Sequence, residues 1–319
     1  MIKEKLKNLR EYIKVINISI KNIGTDIKYI NKNKKDLITL EYKMLLYVHS
    51  LEKGMTFKNI RYGFGKAKIN ELFKLIECYF SIGYEVDRYA IQESLSIINT
   101  YIEFHNKNKH SVREIEDRFS LLKRKMKDPN MAGVKKIKKE ELSGLNFDFE
   151  KFVSSRHSIR EFSNENVEES AIRQAISIAQ NYPSACNRQP IKVYYSLEDE
   201  KNRSIDSLVP GNSGFKGMVN KYLIITSEIT AFGSQEINQW YVNGGIYLSF
   251  LLLSLHSLGL ATCTFQWAEI KNKTKELKKI AKIKCSERVI AVIGVGKYVD
   301  ENIVPIGKRK DIREVIQVF

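Results

Sequence analysis

Arg156-His157-Ser158-Ile159-Arg160-Glu161-Phe162 and, twenty residues further on, Pro183-Ser184-Ala185-Cys186-Asn187-Arg188-Gln189-Pro190 decide how this chain is read. The first cluster packs two arginines, a histidine and a serine into five residues, a dense donor set for an anion. A guanidinium fork matches phosphate oxygens, and a serine hydroxyl adds a shorter-range donor. Between the clusters Val167, Ile172, Ile176 and Ala179 recur at helical spacing, which predicts a helix joining them. The second cluster is a turn: proline fixes φ, serine bonds local backbone, and asparagine tolerates unusual φ/ψ. It leads into the strand-like run 191–195. An anion site, a helix and a polar turn before a strand suit a phosphate-tailed cofactor.

Taken together, Arg-His-Ser-x-Arg and Pro-Ser-x-x-Asn-x-Gln-Pro resemble the nitroreductase family of FMN-dependent oxidoreductases. Either motif alone would be weak; the pair at this spacing is more specific. The resemblance covers about 155–319. It implies an α+β fold, a nitroreductase-like mixed sheet flanked by helices, with FMN at a homodimer interface and NAD(P)H as transient electron donor. Arg156, His157, Ser158 and Arg160 would serve the phosphate and ring. Pro183, Ser184 and Asn187 would reach the flavin of the partner subunit. Asn212 and Lys216 best match a pair that approaches the pyrimidine edge, although the spacing is one residue off. Thr264, Phe265 and Gln266 would pass against the isoalloxazine. Trp267 and Ala268 stand where the family often has glycine. Lys308, Arg309 and Lys310 would complete a phosphate clamp ahead of a last helix. No side-chain acid or base stands out as catalytic.

Composition bounds the rest. At 319 residues the chain exceeds one usual compact domain, and 43% hydrophobic content supports a real core. The net charge is +16, yet residues 1–150 carry 30 Lys and Arg against 20 Asp and Glu, and 151–319 carry 23 against 17. The excess is spread rather than gathered into a tail, and much of it is lysine in a chain rich in Lys, Ile and Asn. No nucleic-acid partner and no integral membrane association are expected. Four scattered cysteines without C-x-x-C spacing argue against zinc and disulfides and suit a reducing cytoplasm. The N-terminus lacks the long apolar core of a signal peptide.

Two units are expected, a helical N-terminal domain over 1–150 and the flavin-binding domain over 151–319. Residues 1–35 alternate Lys and Asn with Ile and Leu, which leaves short helices and an extended arm both open. From Asp36, a capping residue, Leu37, Leu40, Met44, Leu45 and Val48 form an apolar stripe that runs towards a stop at Gly54. Helices are expected near 67–80, 84–105 and 111–127, then a basic linker at 135–139. His49 and Glu52 could share a helix face, but no second His/Glu cluster accompanies them, so a polar pair closing a helix end is favoured over a metal site. A His-x-x-Glu-Lys-Gly stretch of this kind resembles one ahead of nitroreductase-like domains in bacterial polysaccharide clusters. Residues 238–258 make a helix apolar nearly all round, buried on more than one side. His256, near its end, reads as a satisfied histidine.

The alternative reading is a non-catalytic or flavin-binding accessory protein of cell-surface polysaccharide biosynthesis. A protein that stays colourless with excess FMN would favour it.

Overall fold

The computed structural model describes residues 2–30, 35–57, 60–135, 147–265, 267, 272–305 and 309–319. Its fold class is the expected one, α+β, with helices around a small sheet and a helical N-terminal part. Helix α1 (Ile2–Ile30) is one continuous helix, so the open reading of the first residues resolves to helix. Helix α2 (Leu37–Met55) starts as its sequence dictates: Asp36 Oδ2 accepts from Thr39 N at 3.4 Å. Leu40, Met44, Leu45 and Val48 point into the core.

Gly54 corrects its expected role. The helix passes through it, and a Cβ there would meet the Phe64 ring at 2.1 Å. The glycine is there for close packing, and Thr56 caps the end. Helices α3 (Lys66–Ile82), α4 (Tyr89–Lys107) and α5 (Arg113–Ser120) follow. Helix α4 starts five residues later than expected, after the turn 83–88. Helix α5 gives way to a 3-10 turn at Lys123–Lys125 rather than running to 127. One apolar core, from Leu40 to Ala132, unites these helices. The basic linker lies largely outside the described residues.

The second half opens with α6 (Phe149–Ser155), which the sequence reading did not anticipate, and α7 (Glu169–Ala179), the predicted connector. Then come β1 (Ile191–Tyr195), α8 (Asp199–Leu208), β2 (Lys221–Glu228), α9 (Gln239–Ser257), β3 (Leu260–Phe265), α10 (Lys273–Ile280) and β4 (Glu287–Lys297). The strands run in the order β1-β2-β4-β3, and every pairing among them is antiparallel. A parallel contact is added by the bridge between Ser158 and Thr262. Leu223, Ile225, Ile293 and Val295 face α7 and α9 in one apolar cluster, while Ile224 and Val292 face a second that includes α8 and α10. Gly244 lets α9 lie close on the sheet, since a Cβ would meet Ile290 at 2.6 Å. The last helix expected after residue 310 is only a 3-10 turn, Ile312–Glu314. Among the described residues, no helix is long and apolar enough to cross a membrane.

Candidate functional site

The arginine cluster is assembled at the C-terminal end of α9. Helix α6 ends at Arg156, and the preceding Ser155 Oγ is 2.8 Å from His256 Nε2. The other ring nitrogen, Nδ1, is 3.0 Å from Tyr298 Oη, so His256 is satisfied on both sides. Burial holds its pKa below the ordinary value, and the positive charge of Arg156 pushes the same way. The chain then runs along β3: Ile159 N donates to Thr262 O at 2.8 Å. Ile159 is buried, and in extended backbone the flanking residues point the other way. Ser158 is accordingly half-buried and Arg160 exposed. No carboxylate pairs with Arg156 or Arg160 among the described residues.

Strand β3 brings Thr262 and Thr264 alongside this cluster. Thr264 is exposed; Phe265 is buried and stacks on Phe215 with centroids 5.7 Å apart. Gly294 on β4 makes room for that ring, where a Cβ would stand 2.9 Å away. Burial pushes the Cys263 thiol up, partly opposed by Arg160. The thiol is thus held neutral.

The second motif lies at the opposite end of α9. Asn243, in the first turns of that helix, accepts from Ala185 N at 2.9 Å through Oδ1. Thirteen residues separate Asn243 from His256, which at 1.5 Å per residue is about 20 Å along the helix. Within one chain, therefore, the loop 183–190 and the arginine cluster stand apart. The loop is tightly determined. Cys186, Asn187 and Gln189 all adopt left-handed backbone, with φ of 51°, 50° and 50°. Such conformations persist in non-glycine residues only where the surroundings impose them. Ser184 Oγ accepts from Gln189 N at 3.1 Å, and Arg188 does the rest. Its buried guanidinium donates to Ala185 O (3.0 Å), Ala231 O (2.7 Å) and Glu236 Oε2 (2.9 Å), and lies over the Phe232 ring. Pro183 and Asn187 remain exposed.

This loop also touches the helical N-terminal part. Gln189 Nε2 donates to Tyr89 Oη at 3.0 Å, and Tyr89 donates to the buried carboxylate of Glu93. Burial, aided by the charge of Glu52, pushes Glu93 up to about 7 against the lowering effect of the Tyr89 bond. Glu52 itself accepts from Gly133 N at 3.1 Å and lies 3.9 Å from His49 Nδ1. Among the described residues no group of three His, Cys, Asp or Glu is placed to hold a metal ion.

The remaining predicted residues divide. Asn212 is buried, and its amide hydrogens go to Asp206 O (2.8 Å) and Oδ1 (3.0 Å), where Asp206 also accepts from Tyr222. It braces the loop before β2, while Lys216 on the same loop is exposed. His157, Arg309 and Lys310 are exposed; Gln266 and Lys308 lie outside the described residues. Sequence reasoning missed Arg188, Asn243 and Tyr298. Arg188 stands inside the quoted motif, but its partner Glu236 is 48 positions away, and nothing local pairs them.

Residues 153–223 match the model of the nitroreductase family, a segment running from α6 through both motifs into β2. The chain thus carries that family's sequence signature. It is 25% identical over 209 residues to an iodotyrosine deiodinase of Haliscomenobacter hydrossis, covering 56% of this chain and 92% of the relative. In structure it is similar to an FMN-dependent nitroreductase of Clostridium difficile, with 20% identity, TM-score 0.45, and 52% and 96% of the two chains covered. A nitroreductase family protein of Streptococcus pneumoniae gives 20%, 0.45, 54% and 100%.

Proposed function

We propose that this protein is a cytoplasmic, FMN-dependent oxidoreductase that takes hydride from NAD(P)H and passes it to a small-molecule acceptor. It would act as a homodimer with each flavin held between two chains. On this reading 1–150 is a helical domain and 151–319 the flavin-binding domain, each with an apolar core of its own, joined where Tyr29, Ile30 and Tyr42 pack against Ile229 and Phe232.

The observation that carries the proposal is the placement of the two motifs at opposite ends of α9. A two-fold axis across antiparallel α9 helices would set the loop 183–190 of one chain against the arginine cluster of the other. The exposed face of α9 suits such a contact: Tyr241, Val242 and Phe250 are accessible beside Gly245 and Ser249. The C-terminal segment, with Ile312, Val315, Ile316, Val318 and Phe319 exposed, adds apolar surface for a second chain to cover.

The donor set fits a phosphate-tailed flavin. Arg156 and Arg160, which pair with no carboxylate among the described residues, bring positive charge, Ser158 adds a hydroxyl, and Lys310 with Lys308 and Arg309 adds further cations. FMN, when bound, supplies the two-electron chemistry. Arg156 and Ser158 would hold the phosphate end, Arg160 and Lys216 would place positive charge beside the ring, and Thr264 with the backbone of 264–265 would form its floor. The satisfied His256 steadies Ser155 and, through it, the start of the cluster.

The absorbance spectrum of purified protein with added FMN tests this: flavin bands that stay with the protein are expected, and a colourless protein overturns the reading. Arg156→Ala removes a charged hydrogen bond of about 1.5–3 kcal/mol. It should weaken FMN binding by roughly one to two decades. Similarity to a deiodinase supports a second reading of the acceptor, an iodinated phenol, which iodide release from iodotyrosine under reducing conditions would establish.

A further inference from the structure

Helix α1 carries a literal seven-residue repeat. Lys-x-Leu/Ile-x-x-x-Ile occurs at 7–13, 14–20 and 21–27, placing Lys7, Lys14, Lys21 and Lys28 one heptad apart. The apolar members, Leu9, Ile13, Ile16, Ile20, Ile23 and Ile27, alternate in steps of four and three, the a/d spacing of a coiled-coil seam. All six are exposed: Ile16 is 54% and Ile20 63% accessible.

The helix does not turn this seam inward because its other face is already docked. Arg288, buried on β4, donates to Asn22 Oδ1 at 3.1 Å, to Asn22 O at 2.9 Å and to Asp26 Oδ1 at 2.6 Å. Tyr29 and Ile30 pack beside Ile229 and Phe232. At 100° per residue, 22, 26 and 29 project about 120° round the helix from 16, 20 and 23, on a separate face. Buried ion pairing thus fixes α1 to the body by its polar face and presents the isoleucines to the outside.

We propose that this seam is covered by α1 of a second copy of the chain, the two helices forming a coiled coil. A strict seven-residue period holds a seam in register only when helices supercoil around each other, because a straight helix drifts about 20° per heptad. A helix lying on lipid has no use for that period. The seam is also narrow and free of tryptophan and phenylalanine. The main alternative occupant is an anionic membrane, since 2–30 carries seven Lys and Arg against three Asp and Glu.

Ile16 stands at the middle of α1, so it meets its counterpart whether the helices run parallel or antiparallel. The full chain carrying Ile16→Cys and Cys285→Ser, treated with a short bismaleimide, should be converted mostly to covalent dimer. Cys285→Ser alone gives the background from the other thiols. Adding Ile13→Glu and Ile20→Glu, both on the exposed seam, should cut the cross-linked fraction at least tenfold. No dimer above background, or equal cross-linking with and without the two glutamates, overturns the proposal. If the protein that fails to cross-link sediments with vesicles of phosphatidylcholine and phosphatidylserine, the seam takes lipid instead, and the Lys21→Glu/Lys28→Glu variant should abolish that sedimentation.

Discussion

Arg188 and Glu93 show how single side chains set the state of the loop 183–190. Arg188 is 4% exposed and spends its guanidinium on two backbone carbonyls and Glu236. Burial holds in place a group whose partners cannot be replaced by water, and Glu236 is correspondingly held below the usual carboxylate range, first by Arg188. Arg188→Ala should lower unfolding free energy by about 2–4 kcal/mol in urea titrations, because it strands a buried acceptor and a half-buried charge. Arg188→Lys should recover little, lacking the fork. Glu93 makes the opposite kind of statement. Its folded pKa, pushed up to about 7, lies above that of an ordinary Glu, so the folded state binds more protons between roughly pH 4.5 and 7. Stability therefore falls as pH rises through that window. Glu93→Gln should flatten this slope, read as a smaller loss of Tm between pH 5 and pH 8 than wild type shows. An unchanged slope would mean that Glu93 ionises freely.

Elements explain where a sequence can be read and where it cannot. Helix α2 was legible because its signals are local: the Asp36 cap and an apolar stripe at helical spacing. Gly54 was not, because its reason is the Phe64 ring, ten residues on and across a turn. The two roles predict opposite signs. In an exposed helix interior Gly→Ala stabilises by about 1 kcal/mol. Here the new methyl must displace an aromatic ring from a packed core, which costs typically 1–3 kcal/mol. Gly54→Ala should thus be net destabilising, and Phe64→Leu in the same chain should recover part of the loss in a thermal melt. Both site motifs were visible for the same local reason as α2, since consecutive donors and turn residues need no partner to be recognised. Their supports, Asn243 and Tyr298, come from distant positions and leave no local trace. The heptads of α1 stand in plain view, yet the abundant Lys and Asn leave short helices and an extended arm both open from sequence alone. Helix α6 is too short for a period to declare itself.

At the scale of the whole molecule, α9 is a spacer that sets one motif about 20 Å from the other. A flavin that needs both must take them from two chains, and activity should not survive dissociation. Two inactive variants that still dimerise test this, Arg156→Ala at the cluster and Ser184→Trp in the loop. If each site joins Arg156 of one chain to Ser184 of the other, a mixed dimer contains one doubly damaged site and one intact site. Dissociating and reassociating the two variants together should restore activity. With random pairing, half the dimers are mixed and half the sites in those are intact, so recovery should approach about a quarter of wild type. The variants alone, taken through the same cycle, should recover none. If mass measurement confirms heterodimers and activity stays absent, both residues belong to one chain's site. The loop would then have to reach the cluster by moving the length of α9, against the Arg188 and Asn243 contacts that hold it.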